Sequence, residues 1–236
     1  VETIWQGVKE AIHLLYTRDP ETLRITFLTL RVSGLATLIS VLIGVPLGIL
    51  LALSRFPGRR VLISLVNTGM ALPPVVVGLW VSIFLWRNGP LGFLGIMYTP
   101  AAIVVAQTVI AAPVVAGFTV AGISQLDPQL TLQLTALGAS RWQLYWLLVR
   151  EAKLSILAAV IAGFGAVVSE VGASTMVGGN ILGQTRVLTT ATVMEVSKGN
   201  YSLAIGVSIV LLLLAYAVTF ALTLLQQRGR QPWLMR

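Results

Sequence analysis

Glu170 is the one ionisable side chain deep inside a long apolar run, Leu154 to roughly Val177. A buried charge in such a run is costly, so its default reading is functional. Small neighbours, Gly165, Ser169, Gly172 and Ala173, permit close helix approach there. Two roles stay open: a structural carboxylate that organises a gate, or a side chain lining a pathway. Just beyond it, Ser174, Thr175, Asn180, Gln184 and Thr185 supply hydroxyl and amide donors. Neutral donors of this kind can hold a polar group loosely; ordinary loop polarity explains them equally well. Pro73 and Pro74 interrupt another apolar run. The carbonyl groups they free need partners in protein or in a wet cavity, which fits a kink beside a pathway or a plain packing kink.

The rest of the inventory is spare. There is no Cys and one His, His13, so Cys-ligated metal sites are excluded and a His cluster nearly so. One intramembrane carboxylate without a partner leaves no obvious acid/base pair for an intramembrane enzyme. No GxxxxGK[ST] phosphate loop is present, so this chain is not expected to hydrolyse ATP. Of 236 residues, 56% are apolar and 10% charged, against roughly 25% charged in soluble domains. That balance excludes a soluble enzyme, a disordered tail and a nucleic-acid-binding domain. The formal charge of +8 sits mostly in short stretches between apolar runs, as membrane proteins carry it.

A membrane span needs about 20 mostly apolar residues. Five runs qualify: Val32–Leu53, Val61–Trp86, Thr99–Leu126, Leu154–Val177 and Leu203–Leu225. Asp19-Pro20, Thr99-Pro100 and Asp127-Pro128 each predict a helix start, with an acceptor at the N-cap and Pro at the first helical position. The Asp19 start makes the first helix run to Leu53, about 50 Å against a ~30 Å hydrocarbon core. Residues 1–18 form an amphipathic segment with Ile4, Trp5, Val8, Ala11, Ile12 and Leu15 on one face. It reads as an interfacial helix or as one packed on a neighbouring subunit. Gly44 and Gly48 form a GxxxG pair, read as packing.

Five spans put the termini on opposite sides. One side receives Arg55, Arg59, Arg60, Arg141, Arg150, Lys153, Arg228, Arg230 and Arg236; the other receives Lys9, Arg18, Arg24, Arg31, Arg87, Arg186 and Lys198. The excess on the first side predicts a cytoplasmic C-terminus and an external N-terminus. Arg87, Arg186 and Lys198 then lie outside, where they attract an anion, meet a binding protein or are simply solvated. Five spans without an internal repeat look like half of a transporter, so a homodimer is expected.

Residues 127–153 form the longest polar connection. Asp127-Pro128 predicts a helix carrying Leu130, Leu132, Leu134 and Leu137; Gly138 ends it in the left-handed conformation. Ser140 with Gln143 three residues on predicts a capping box and a second helix. Helix, Gly turn, helix is a shape built to dock into a partner, or else a packed interfacial elbow.

Leu137-Gly138-Ala139-Ser140-Arg141-Trp142 resembles the Gly-centred part of the signature loop of ABC importer permeases. Thr29-Leu30-Arg31-Val32-Ser33, Phe56-Pro57-Gly58, Leu72-Pro73-Pro74-Val75-Val76-Val77-Gly78 and Gly89-Pro90-Leu91-Gly92 are similar to the molybdate-type branch. So are Ser169-Glu170-Val171-Gly172-Ala173-Ser174 and Asn180-Ile181-Leu182-Gly183-Gln184-Thr185. The resemblance runs from Asp19 onward and is nearest to the tungstate permeases. The departures are local. Leu132, Gln133 and Leu134 stand where the family has Glu-Ala-Ala, the usual Pro residues near Glu151 and Ser155 are missing, and Leu182 replaces another Pro.

The resemblance implies an all-α integral membrane fold, a type I (MetI-like) ABC importer permease core over 19–225, with a tail at 226–236. It implies a multi-pass protein of a bacterial or archaeal inner membrane that translocates an oxyanion, tungstate first and molybdate second. Direct binding of such an anion by Glu170 is disfavoured by like charge. The implied partners are a second copy of the chain, an ABC ATPase dimer, an extracytoplasmic oxyanion-binding protein and membrane lipid, with no nucleic acid. No cofactor is expected in this chain; ATP and magnesium belong to the ATPase. Leu132, Gln133, Leu134, Leu137, Gly138, Ala139, Ser140, Arg141 and Trp142 are the implied ATPase-coupling residues. Glu170, Ser174, Thr175, Asn180, Thr185, Pro73 and Pro74 are the candidates for the pathway or its gate. An ATP-independent channel with a ring of Glu170 is the remaining alternative, and it leaves the elbow unexplained.

Overall fold

A computed structural model describes residues 2–228. The side chain of Arg228, and Arg230 and Arg236 of the tail, lie outside the described residues. The described residues form eleven α-helices and one short 3₁₀ turn. They are α1 (Glu2–Tyr16), α2 (Pro20–Leu53), α3 (Arg59–Ala71), α4 (Pro74–Leu85), α5 (Pro100–Ser124), α6 (Pro128–Ala136), α7 (Arg141–Glu151), α8 (Lys153–Val168), α9 (Gly172–Gly178), α10 (Leu188–Ser197) and α11 (Tyr201–Arg228). Three helices, α2, α5 and α11, are long and apolar enough to cross a membrane unbroken. Two bent pairs, α3 with α4 and α7 with α8, bring the number to five when each pair counts as one span.

The first span begins where the sequence placed it. Asp19 caps α2, its Oδ2 accepting from the Thr22 amide and the Thr22 hydroxyl, both at 2.7 Å. Those bonds, the amide's first, hold the Asp19 carboxyl below its ordinary value. Thr99 differs: its side chain makes no cap, and its hydroxyl donates to the Ile96 carbonyl at 2.6 Å. Pro100 alone marks that start.

Small residues set the packing. A Cβ on Gly44 would stand 2.8 Å from the Ala112 carbonyl oxygen, and one on Gly48 would stand 2.6 Å from Thr119 Cβ. The GxxxG pair therefore seats α2 directly on α5, as close-packed membrane helices require. The core beside that seam is largely small and β-branched: Val32, Ala102, Ala106, Ala173 and Val177 are buried together. Ala36, Ala111 and Val167 continue it between α2, α5 and α8.

Two spans are more sharply interrupted than the sequence predicts. The second is broken at Pro73-Pro74, where α3 and α4 meet at 102°; the expected kink is a corner. The fourth ends as a helix at Val168 and resumes as the short α9, so Glu170 lies between two helices. The helix α10 fills part of the connection between the fourth and fifth spans, where the sequence predicts no helix.

The N-terminal helix packs on its own chain. Gly7, Ala11 and Leu14 are its buried residues, and Gly7 meets Ile205 of α11 so closely that a Cβ would fall 2.4 Å from that side chain. Leu14 joins Ile25, Leu188, Ala191, Val207 and Val210 in a second core. Ile4, Trp5, Ile12 and Leu15 of the expected apolar face point outward. The buried stripe is the one with small residues, because only those let α1 reach the α11 backbone.

Candidate functional site

The elbow folds from local chemistry alone. Asp127 Oδ1 accepts from the Gln129 amide at 2.8 Å and starts α6. Gly138 closes it at φ +81°, a conformation nearly free for glycine and strained for other residues. The Ala139 amide donates to the Leu134 carbonyl at 3.1 Å and the Gly138 amide to that of Thr135 at 3.0 Å; together these make a Schellman ending. Ser140 then opens α7 with a reciprocal cap. Its amide donates to Gln143 Oε1 at 2.8 Å, and its Oγ accepts from the Gln143 amide at 3.4 Å.

The hairpin is capped inside and bare outside. No residue of α6 is buried, and Leu132, Leu137 and Trp142 are 69%, 83% and 82% exposed. Gln133, Ser140 and Arg141 are exposed beside them, with Leu134 and Ala139 partly covered. Exposed Leu and Trp side by side, held by caps and not by a core, form the kind of patch that marks an interaction surface. At its rear, Trp146 carries Arg150 5.2 Å above its ring.

A second feature is the break in the fourth span. Glu170 is buried, and its Oε1 accepts from the Ala173 amide at 2.7 Å. From the position before the Val171 N-cap it satisfies one free amide in the first turn of α9. The Glu170 carbonyl accepts from the Thr189 hydroxyl of α10 at 2.9 Å. Gln107 of α5, 2% exposed, spans the break: its Nε2 donates to the Val167 carbonyl at 3.1 Å and to Ser174 Oγ at 3.3 Å. Across the gap, α4 presses on α9, with Gly78 facing Ala173. The break is therefore clamped by α4, α5 and α10 at once.

The sequence-selected donors divide. Ser174 and Thr185 are buried and used inside the chain. Thr185 Oγ1 accepts from the Ile181 amide at 2.9 Å and donates to the Gly178 carbonyl at 2.6 Å. Thr175 is exposed, its hydroxyl bonded to the Val171 carbonyl of the preceding turn at 2.8 Å. Asn180 takes a left-handed turn position at φ +50°, and its Oδ1 is buried without a partner among the described residues. Gln184 is exposed. Pro73 and Pro74 sit at the α3–α4 corner, on the same side of the fold as α9 through the α4 contact.

Of the three cations expected on the external side, two are not free. Arg186 pairs with Glu21 at 3.2 Å, and Lys198 pairs with Glu195 at 2.8 Å; Arg87 is exposed. Glu195 is a buried carboxylate that the sequence reading passed over. Burial pushes its carboxyl up, but hydrogen bonds from Lys198 and Asn200, with the Lys198 and Arg186 charges, outweigh that and hold it below its ordinary value. Gln107, Thr189 and Thr29, whose hydroxyl accepts from the Leu188 amide at 2.9 Å, were missed as well. Gln107 is the one amide side chain in the apolar α5, which was the available signal; Thr29 and Thr189 lie among other Thr and Ser residues that make the same pattern.

Residues 44–231 match the family described as the binding-protein-dependent transport system inner membrane component. The chain is 37% identical over 227 residues to the tungstate uptake system permease protein TupB of Peptoclostridium acidaminophilum, covering 96% of this chain and 100% of that one. It is also 37% identical over 199 residues to a probable anion ABC transporter permease protein of Haloferax volcanii, covering 82% and 86%. Among solved structures, an inward-facing MetNI methionine ABC transporter chain superimposes with a TM-score of 0.74 at 23% identity, covering 89% of this chain and 96% of that one. The last likeness is one of fold.

Proposed function

The chain belongs to the binding-protein-dependent transport system inner membrane components, and from that premise we propose that it imports tungstate. It is an ABC permease subunit and not an enzyme. The observation that carries the substrate is the full-length match to a tungstate uptake permease. The geometry contributes the two moving parts such a subunit needs: an exposed hairpin for a partner to grip, and a clamped break inside the membrane.

In this reading two copies of the chain enclose the pathway, and a dimeric ABC ATPase binds the elbow from Leu132 to Trp142. ATP and magnesium act in that partner. An external binding protein delivers the anion. The elbow and the C-terminus face the cytoplasm, and α1 lies at the outer surface. Closure of the ATPase pulls on α6 and α7, and α7 continues into α8 across a 60° bend. Motion of α8 reaches the break at Ser169–Val171, where Gln107, Glu170 and Thr189 hold α9 against α5 and α10. Glu170 organises this gate: its carboxylate is turned to the Ala173 amide of α9, an orientation that supports positioning over anion contact. Ser174 joins this gate through its bond to Gln107; Thr175 lies on the exposed side of α9, Asn180 and Thr185 at its far end, and Pro73 and Pro74 at the start of α4, and these remain candidates for the pathway. The second reading, a different oxyanion on the same machinery, is favoured by the anion permease relative.

Proteoliposomes holding the permease and its ATPase, supplied with the cognate binding protein, provide the test. ATP-dependent uptake of tungstate ahead of molybdate and sulfate is expected. Equal uptake without nucleotide would establish a channel, and preference for another anion would establish the second reading.

A further inference from the structure

The first turns of α2 and the loop 182–186 enclose a cleft of about 310 Å³ that neither the elbow nor the gate uses. Glu21, Arg24 and Arg186 line its polar end, and Ile25, Leu28 and Leu182 line the rest. This order follows the helix. The 34 residues of α2 span about 50 Å, some 10 Å beyond a ~30 Å hydrocarbon core at each end when centred. Glu21 and Arg24 then stand in the headgroup layer, with Ile25 and Leu28 at the edge of the hydrocarbon.

Both guanidinium groups are held and both keep donors spare. Arg24 Nη2 donates to the Gly183 carbonyl, and Arg186 Nη1 to Glu21 at 3.2 Å. Neither Arg24 Nη1 nor Arg186 Nη2 has a hydrogen-bond partner among the described residues. Two arginines against one glutamate leave the cleft one positive charge. A pre-positioned guanidinium matches phosphate oxygens. A free oxyanion would use only the two arginines; a molecule with a phosphate and a hydrocarbon root uses both arginines and the three apolar side chains.

We propose that this cleft binds the phosphate of an anionic phospholipid, with Arg24 and Arg186 on its oxygens and its glycerol and first acyl carbons on Ile25, Leu28 and Leu182. The site ties α2 to the loop that leads from α9 to α10, so an occupied cleft braces the outer end of the gate.

Native mass spectrometry of the full chain in detergent, titrated with phosphatidylglycerol, phosphatidylcholine or inorganic phosphate, tests this. Wild type should retain phosphatidylglycerol in preference to phosphatidylcholine. Arg24→Gln, at an exposed head group, should weaken that retention about tenfold, the loss of roughly one charge-assisted bond. Leu182→Glu, which brings a carboxylate to an exposed position on the cleft wall, should weaken it as much. Equal retention of the two lipids, or unchanged retention in both variants, overturns the proposal. Displacement of phosphatidylglycerol by an equal concentration of inorganic phosphate would assign the cleft to a free anion and overturn the lipid assignment.

Discussion

The Glu170 carboxylate accepts the Ala173 amide at 2.7 Å across the gap between α8 and α9. A charge inside the membrane is thereby spent on a helix terminus. Glu170→Gln keeps an acceptor but loses the charge, so the chain should fold, melt slightly lower and transport at an altered rate. Glu170→Ala removes the cap and should cost about 1–2 kcal/mol. Thermal melting in detergent beside uptake in proteoliposomes reads both; unchanged uptake in Gln and Ala variants would mean that the carboxylate does nothing beyond local structure.

The elbow predicts a separation of folding from coupling. Gly138 holds φ +81°, which proline, fixed near −65°, cannot adopt. Gly138→Pro should redirect α7 and abolish permease-stimulated ATP hydrolysis. Ala139→Asp should do the same by placing charge in the apolar patch. Neither residue touches the α2–α5 core, so melting should change little. Normal stimulation in both variants would remove the docking assignment.

Close packing gives a prediction of the opposite kind. Gly48 lies against Thr119, where a Cβ would come to 2.6 Å. Gly48→Leu must push α2 off α5 and should destabilise the fold by about 1–3 kcal/mol, seen as a lower melting temperature. The exposed Gly165, with open space around its Cβ position, should tolerate Ala.

Asp19 and Glu195 give the chain a defined response to acid. Both carboxyls sit below their ordinary values of 3.8 and 4.5 in the folded chain. The unfolded chain therefore binds protons first as pH falls. The stabilisation is complete above about pH 4.5 and is lost below it as the folded-state values are crossed. Melting temperature in detergent should fall through that range, and Glu195→Gln should flatten the fall. A wild-type curve with no slope there would show that these bonds do not stabilise the fold.

Local signals carried much of this structure, and long-range ones did not. Asp19-Pro20, Asp127-Pro128, Gly138 and Ser140 with Gln143 each act within a few residues, and each boundary they predict is present in the fold. The Pro73-Pro74 corner and the break at Glu170 were visible as irregularities, but their angle depends on what packs against them. At the break these are the α4 face at Gly78, which meets Ala173, and the Gln107 amide, which bonds Val167 and Ser174; both come from helices distant in sequence. The helix α10 escaped notice because Thr189, Thr190 and Thr192 weaken its helical propensity; bonds to Thr29 and to the Glu170 carbonyl hold it instead. Arg186 and Lys198 read as free charge because their partners, Glu21 and Glu195, are respectively far in sequence and hidden on an apolar helix.

The sidedness of the elbow decides whether any motor can reach it. The chain has no cysteine, so Ser140→Cys creates a single thiol at an exposed position. Replacing Ser140 removes one half of a surface capping box, a cost of about 1 kcal/mol, which the fold should survive. An impermeant maleimide should label this thiol in inside-out membrane vesicles and leave it untouched in intact cells with a permeabilised outer membrane. Arg87→Cys, exposed on the opposite side in this topology, should show the reverse pattern. Labelling of Ser140→Cys in intact cells would turn the elbow outward. The hairpin would then face the binding protein, and the coupling of ATP hydrolysis to the gate through α7 and α8 would have no physical route.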